Sequence, residues 1–300
     1  MRSCHRWQAA ALAVLGMGVL LVLGCGRSGS SEKAIEYRPL RFETGPAIDI
    51  AAVLSNASIA IRGEADRTET EITAILTATG GSLQQAQRRV EELEISVVHQ
   101  GKRIGIRFEP PEEAAKWGEL PTARFEVLTS NQGTIRVEAA NGSVEVSDLD
   151  GDVAILTDRG SVDVRRASGV FEVDVRDGSM SFSDIAGRLT ARAERGSAVI
   201  EGAVLEADVE TRIGDISYAG TLAGSENRLV ASYGGVSLRV PLASQLEVEA
   251  EVVTGQIESS LPFVGDVSGT KWLATLNAPT ARVFLRSTNA WIRIEPLDNM

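Results

Sequence analysis

The chain has 300 residues, 43% of them hydrophobic but only 5% aromatic, and a formal net charge of −11. That length holds two modest domains or one elongated one. The acidic balance argues against nucleic-acid binding, which draws most of its affinity from a basic patch, and against direct adsorption to anionic lipid.

Residues 1–24 read as an export leader. Arg2 and Arg6 make a basic start, Ala9 to Leu23 is an apolar run, and small residues follow at its end. The run is shorter than the roughly 20 residues a spanning helix needs. Val22-Leu23-Gly24-Cys25 resembles the lipobox of bacterial lipoproteins. That resemblance implies cleavage before Cys25, a diacylglycerol thioether on its sulfur and anchoring to a membrane on the extracytoplasmic side. Gly26 stands where an aspartate would retain a lipoprotein at the inner membrane, which favours the outer membrane in a cell that has one. Cys4, the other of the two cysteines, falls in the removed segment, which leaves no disulfide in the mature chain.

Residues 25–44, rich in Ser, Gly and charge, read as a flexible tether. Residues 45–130 read as an N-terminal β section. Its strands include Ala57-Ser-Ile-Ala-Ile-Arg and Glu71-Ile-Thr-Ala-Ile-Leu-Thr. Ser82 is placed to cap one short helix, whose apolar face carries Leu83, Ala86, Val90 and Leu93. Strands return at Ile95 to Val98 and Ile104 to Phe108, and a proline-rich loop runs to Pro121.

Residues 131–296 carry a repeat. Gly133, Gly142, Gly151, Gly160, Gly169, Gly178, Gly187 and Gly196 are spaced by nine, Leu205 takes the next slot, and Gly214 restores the register. Two kinds of nine alternate, so the unit is eighteen residues. Aligning positions eighteen apart gives apolar columns: Val144, Val162, Met180, Ala198 and Ile216; Val146, Val164, Phe182, Ile200 and Tyr218; and, on a second strand, Val153, Phe171, Leu189 and Ala207. This is the pattern of period-two strands stacked in rungs, with glycine as the structural turn at each corner. Outward positions align as well. Asp158, Arg176, Glu194 and Arg212 form one ladder of alternating sign, and Asp174, Arg192 and Glu210 another, while Ser143, Ser161, Ser179 and Ser197 form a serine column. Past Tyr218 the period loosens, and Ala281 to Leu285 and Trp291 to Ile294 read as closing strands, with Trp291 capping the open end.

Asn141-Gly-Ser-Val-Glu-Val, Asp177-Gly-Ser-Met-Ser-Phe, Ser232-Tyr-Gly-Gly-Val-Ser-Leu-Arg-Val-Pro, Thr254-Gly-Gln-Ile-Glu-Ser and Asn289-Ala-Trp-Ile-Arg-Ile together resemble the bacterial putative adhesin family, a domain of unknown function on exported and membrane-associated proteins. The resemblance covers roughly Phe42 to Pro296. It implies a stacked β fold and transfers no catalytic residue. Ala290 departs from the glycine usual at its position in the family's closing turn.

The residues offer little for chemistry. His5 and His99 are the only histidines, and His99 reads as a surface residue at a strand end, so nucleophilic triads and His/Cys zinc sites lack their parts. Asp148-Leu-Asp150-Gly-Asp152 is similar to a calcium loop but lacks the bidentate acid at its far end. The expected fold is therefore all-β: a single-chain β-solenoid, parallel β-helix-like, with about 18 residues per rung and an N-terminal β section carrying one short helix. A flattened two-sided rung is the first expectation and a three-sided rung with a short third strand the runner-up. The expected function is a lipid-anchored, non-catalytic cell-envelope protein without cofactor or metal, binding or scaffolding a protein or polysaccharide at the cell surface. Envelope-stress sensing through a membrane partner is the alternative, and a carbohydrate-active enzyme the least favoured reading.

Overall fold

The computed structural model describes residues 19–23 and 31–297. It is all-β apart from one α-helix, Leu83–Glu91, and one 3-10 turn, Glu112–Lys116. Most strand pairs are parallel and belong to one large open sheet that the chain winds through in layers.

The apolar columns set the register. Val144 pairs with Val162, Val162 with Met180, Met180 with Ala198 and Ala198 with Ile216, each step eighteen residues. All five are at most 1% exposed. The column runs on through Ile59 on one side and through Val236 and Ile292 on the other. We call this the Ile59 face. Ile50, Ile135, Val153, Phe171 and Leu189 share the opposite face, in which Ile48–Leu54 pairs with Gln132–Asn141 and that strand with Asp150–Arg159. Inward side chains of the two faces meet in one continuous apolar core.

Between the faces the chain turns twice, not once. Asp148, Arg166, Asp184 and Gly202, eighteen apart, all have left-handed backbone, with φ of 58°, 47°, 54° and 63°. The next residues, Leu149, Ala167, Ile185 and Ala203, are buried and form a third, short inward column. With the glycine corners at Gly142, Gly160, Gly178 and Gly196 and at Gly151, Gly169 and Gly187, this makes three corners per eighteen residues. At each left-handed position the residue that follows points into the core, so the chain does not run straight from one face to the other.

Spatial order departs from chain order at both ends. Layer 48–64 lies between layers 103–130 and 132–147. Layer 281–296 lies between layers 226–240 and 246–259. The strands expected to close the stack are thus internal, and Trp291 is not an end cap. Its ring lies over Gly235, where an added Cβ would sit 2.5 Å from it. Antiparallel strands finish the ends instead: Ile95–Gln100 on Arg103–Phe108 at one, Val264–Ser268 and Lys271–Leu276 on Leu246–Val252 at the other.

The helix forms where expected. The Ser82 hydroxyl accepts from Gln85 N, and Ala86 and Val90 are fully buried. The tether is shorter than expected. Glu32–Glu43 is a strand paired along its whole length with Glu69–Gly80, since Ala34, Leu40 and Phe42 supply it with apolar contacts to the core. Val19–Leu23, assigned by sequence to the leader, pairs antiparallel with residues 33–37 of that strand. Cys25 lies outside the described residues. No helix among the described residues is long and apolar enough to cross a membrane.

Candidate functional surfaces

The glycine corners are packing sites. A Cβ at Gly160 would lie 2.0 Å from Gly142 O, at Gly178 1.8 Å from Gly160 O, at Gly196 1.7 Å from Gly178 O and at Gly214 2.1 Å from Gly196 O. The second column behaves alike: Gly151 faces Gly133 O, Gly169 faces Gly151 O, and Gly187 faces Gly169 O. Each glycine thus makes room for the backbone of the layer before it, and Gly178 N donates to Arg195 O of the layer after it. The N–H groups of Gly142, Gly160, Gly196 and Gly214 are likewise spent on the next layer.

The ladders of alternating charge pair in twos. Arg176 meets Asp158 at 3.3 Å and Arg212 meets Glu194 at 2.8 Å. Asp174, Arg192 and Glu210 are in register, but the partner of Glu210 is Arg228, at 3.2 Å. Bidentate pairs between layers lie elsewhere. Arg166 grips Asp148 with both ends of its guanidinium, at 2.6 and 2.8 Å. Arg195 grips Asp177 in the same bidentate way. Both carboxyls are held below the usual carboxylate range, chiefly by the hydrogen bond from the arginine. The Asp148–Arg166 pair sits on the left-handed corner, which only backbone geometry reveals.

The acidic run 148–152 is spread over three partners one layer on. Asp148 takes Arg166, Asp150 accepts from Ser168 Oγ at 2.7 Å, and Asp152 accepts from Val170 N at 3.3 Å. The carboxylates point along the stack instead of converging, and among the described residues no group of three His, Cys, Asp or Glu side chains could hold a metal ion. His99 Nε2 hydrogen-bonds Gly101 O at 2.7 Å, and its ring lies 5.0 Å from that of Phe42. The serine column is partly used internally: Ser143 contacts Ser58, and Ser197 Oγ accepts from Asp215 N.

Two shallow clefts mark the outer surface. One, of about 460 Å³, lies on the Ile59 face, with small residues Ala60, Thr73 and Ser147 bordered by Arg62, Arg124, Glu126, Glu145, Asp163 and Arg165. Arg165 is bidentate with Asp163, and Arg124 reaches Glu126 at 3.3 Å. The other, of about 400 Å³, lies on the Ile50 face beside Arg136, Leu156, Glu172, Asp174 and Arg192. Both present mixed charge over a strand floor.

No protein-family model and no characterised protein matches the chain. Solved structures overlap it weakly. A "putative cell adhesion protein" from Clostridium sporogenes is 11% identical over 87% of this chain and 99% of its own, with a TM-score of 0.28. A "putative adhesin" from Bacteroides fragilis is 9% identical over 86% and 96%, with a TM-score of 0.43. Another from Parabacteroides merdae is 11% identical over 88% and 96%, with a TM-score of 0.28. Scores of this size do not establish a shared fold.

Proposed function

We propose that this chain is a lipid-anchored, non-catalytic protein of the bacterial cell envelope, in which an adhesin-type β-solenoid binds or scaffolds a partner at the surface. The observation that carries the reading is the parallel register of the Ile59 face, eighteen residues per step from Val144 to Ile216. It builds a stacked body in which many outward carboxylates and guanidinia pair from layer to layer. Such a body offers extended surface, and the cleft on the Ile59 face is one concave part of it. Anchoring rests on Val22-Leu23-Gly24-Cys25, since several acyl chains, each buried methylene contributing about 0.8 kcal/mol, hold a protein firmly.

The test is crosslinking in intact cells from a photoreactive residue at Glu145, on the cleft rim. Polysaccharide or matrix protein is the expected catch. A single integral membrane protein would shift the function to sensing. Hydrolysis of envelope glycan by the purified protein, abolished by Asp163→Asn, would overturn the non-catalytic reading.

A further inference from the structure

Layer 281–296 stands between two layers made before it. On the Ile50 face, Ala281–Ser287 pairs with Glu226–Tyr233 on one side and Leu246–Val252 on the other. On the Ile59 face, Ile292–Pro296 pairs with Val236–Val240 and with Ile257–Ser259. The end section, residues 246–276, consists of Leu246–Val252, the hairpin folded onto it and the short strand Ile257–Ser259. Among the described residues none of its strands pairs with layer 226–240. Every ladder that joins it to the stack passes through 281–296, and loop hydrogen bonds follow the same route: Val253 N donates to Ser287 O, Thr254 N to Thr288 O and Ser260 N to Ile294 O.

We propose that residues 246–276 are a cap that can dock only when the later segment 281–296 enters the slot between cap and stack. Until that moment the strands 226–233 and 236–240 end the stack with bare backbone edges, the arrangement most open to pairing with another chain. The inserted layer closes those edges and brings its own apolar positions, Val283, Leu285, Ile292 and Ile294, all fully buried. The same arrangement at the other end, where layer 48–64 is enclosed by two layers made after it, needs no such wait, because there the enclosed layer is made first. Completion of the fold is thereby tied to the arrival of residue 296, whatever the rate at which the preceding layers form.

Two measurements on the full chain test this. In refolding followed by pulsed hydrogen exchange, amides of 246–252 and 257–259 are expected to gain protection together with 281–296 and after 144–213. Protection of 246–259 ahead of 281–296 would overturn the proposal. At equilibrium, Ile292→Asp places a carboxylate between Val236 and Ile257. Exchange at 246–259 and 281–296 is expected to quicken at least about tenfold, and at 144–213 no more than about twofold. Unchanged exchange at 246–259, or loss spread evenly over the stack, would sink the idea.

Discussion

A methyl group at Gly178 would lie 1.8 Å from Gly160 O and 2.6 Å from Gly160 C, on backbone with φ of 158°. The obstacle is the main chain of the adjacent layer, which cannot move without dragging its own hydrogen-bond ladder. Gly178→Ala is therefore expected to cost about 3 kcal/mol or more in urea unfolding. Gly105→Ala, in a strand where the nearest atoms are 4.0 Å away, is the control and should change stability little. Leu205 shows what happens when the column lacks its glycine. The leucine is fully buried and stays in step with Gly187, while the register to the next layer shifts between Glu201 and Ala203, so that Leu205 faces Leu222 and Asp208 faces Arg228. Among the described residues the core also holds one misfit. Thr157 is 1% exposed and its Oγ1 has no hydrogen-bond partner. Thr157→Val keeps the shape and removes the orphaned hydroxyl, so it should stabilise the protein by about 1 kcal/mol; a loss in thermal or urea unfolding would mean that an ordered water satisfies the hydroxyl.

At the scale of corners and strands, acid is the informative perturbation. Asp148 and Asp177 have folded-state pKa values below the usual carboxylate value because Arg166 and Arg195 bond their charged forms. A lowered folded pKa contributes stability that is complete above the unfolded value, about 3.9, and is lost as pH falls through the folded one. Stability is thus expected to be flat with respect to these groups from pH 7 to about 5 and to drop below about 4. Asp148→Asn should make that drop shallower when unfolding is followed across the acid range. The strand columns behind these corners were legible in sequence, since alternating Val, Ile and Phe eighteen apart admit one register. Ser82 likewise announced the helix, and Ser82→Ala should cost about 1 kcal/mol. The third corner was not legible. Its left-handed positions are Asp148, Arg166 and Asp184, which look like ordinary surface charges, and its inward column mixes Leu149, Ala167, Ile185 and Ala203, too uneven in size to stand out. Sequence spacing found the weaker ladders, Asp158–Arg176 and Glu194–Arg212, but not the bidentate Asp148–Arg166 pair that occupies this corner.

For the whole molecule, order of layers was the hidden variable. Ile292 and Ile257 follow the same apolar alternation, and nothing in either strand says which will be outermost; that depends on which edge is free when each arrives. The same ambiguity surrounds residues 19–23. As sequence they belong to a leader removed before Cys25, yet as structure Val19–Leu23 lies along residues 33–37. The two descriptions differ in what the fold needs. Glu32–Glu43 is already held by twelve paired positions with Glu69–Gly80, and the core it serves is closed beneath by Ala86, Val90 and Leu93, each at most 1% exposed. Pro39, which has no N–H to offer a further strand, blunts the edge beyond the stretch that Val19–Leu23 covers. A chain beginning at residue 25 and carrying Cys25→Ser should consequently fold and unfold in urea within about 1 kcal/mol of the full-length protein, the change usual for sites away from the core. A loss of several kcal/mol would make Val19–Leu23 an integral strand and remove the basis for a leader. If stability is retained, mass spectrometry of the cell-derived protein supplies the complement: an acylated Cys25 at the mature N-terminus is the expected finding, and an unmodified one would leave the stack without its anchor.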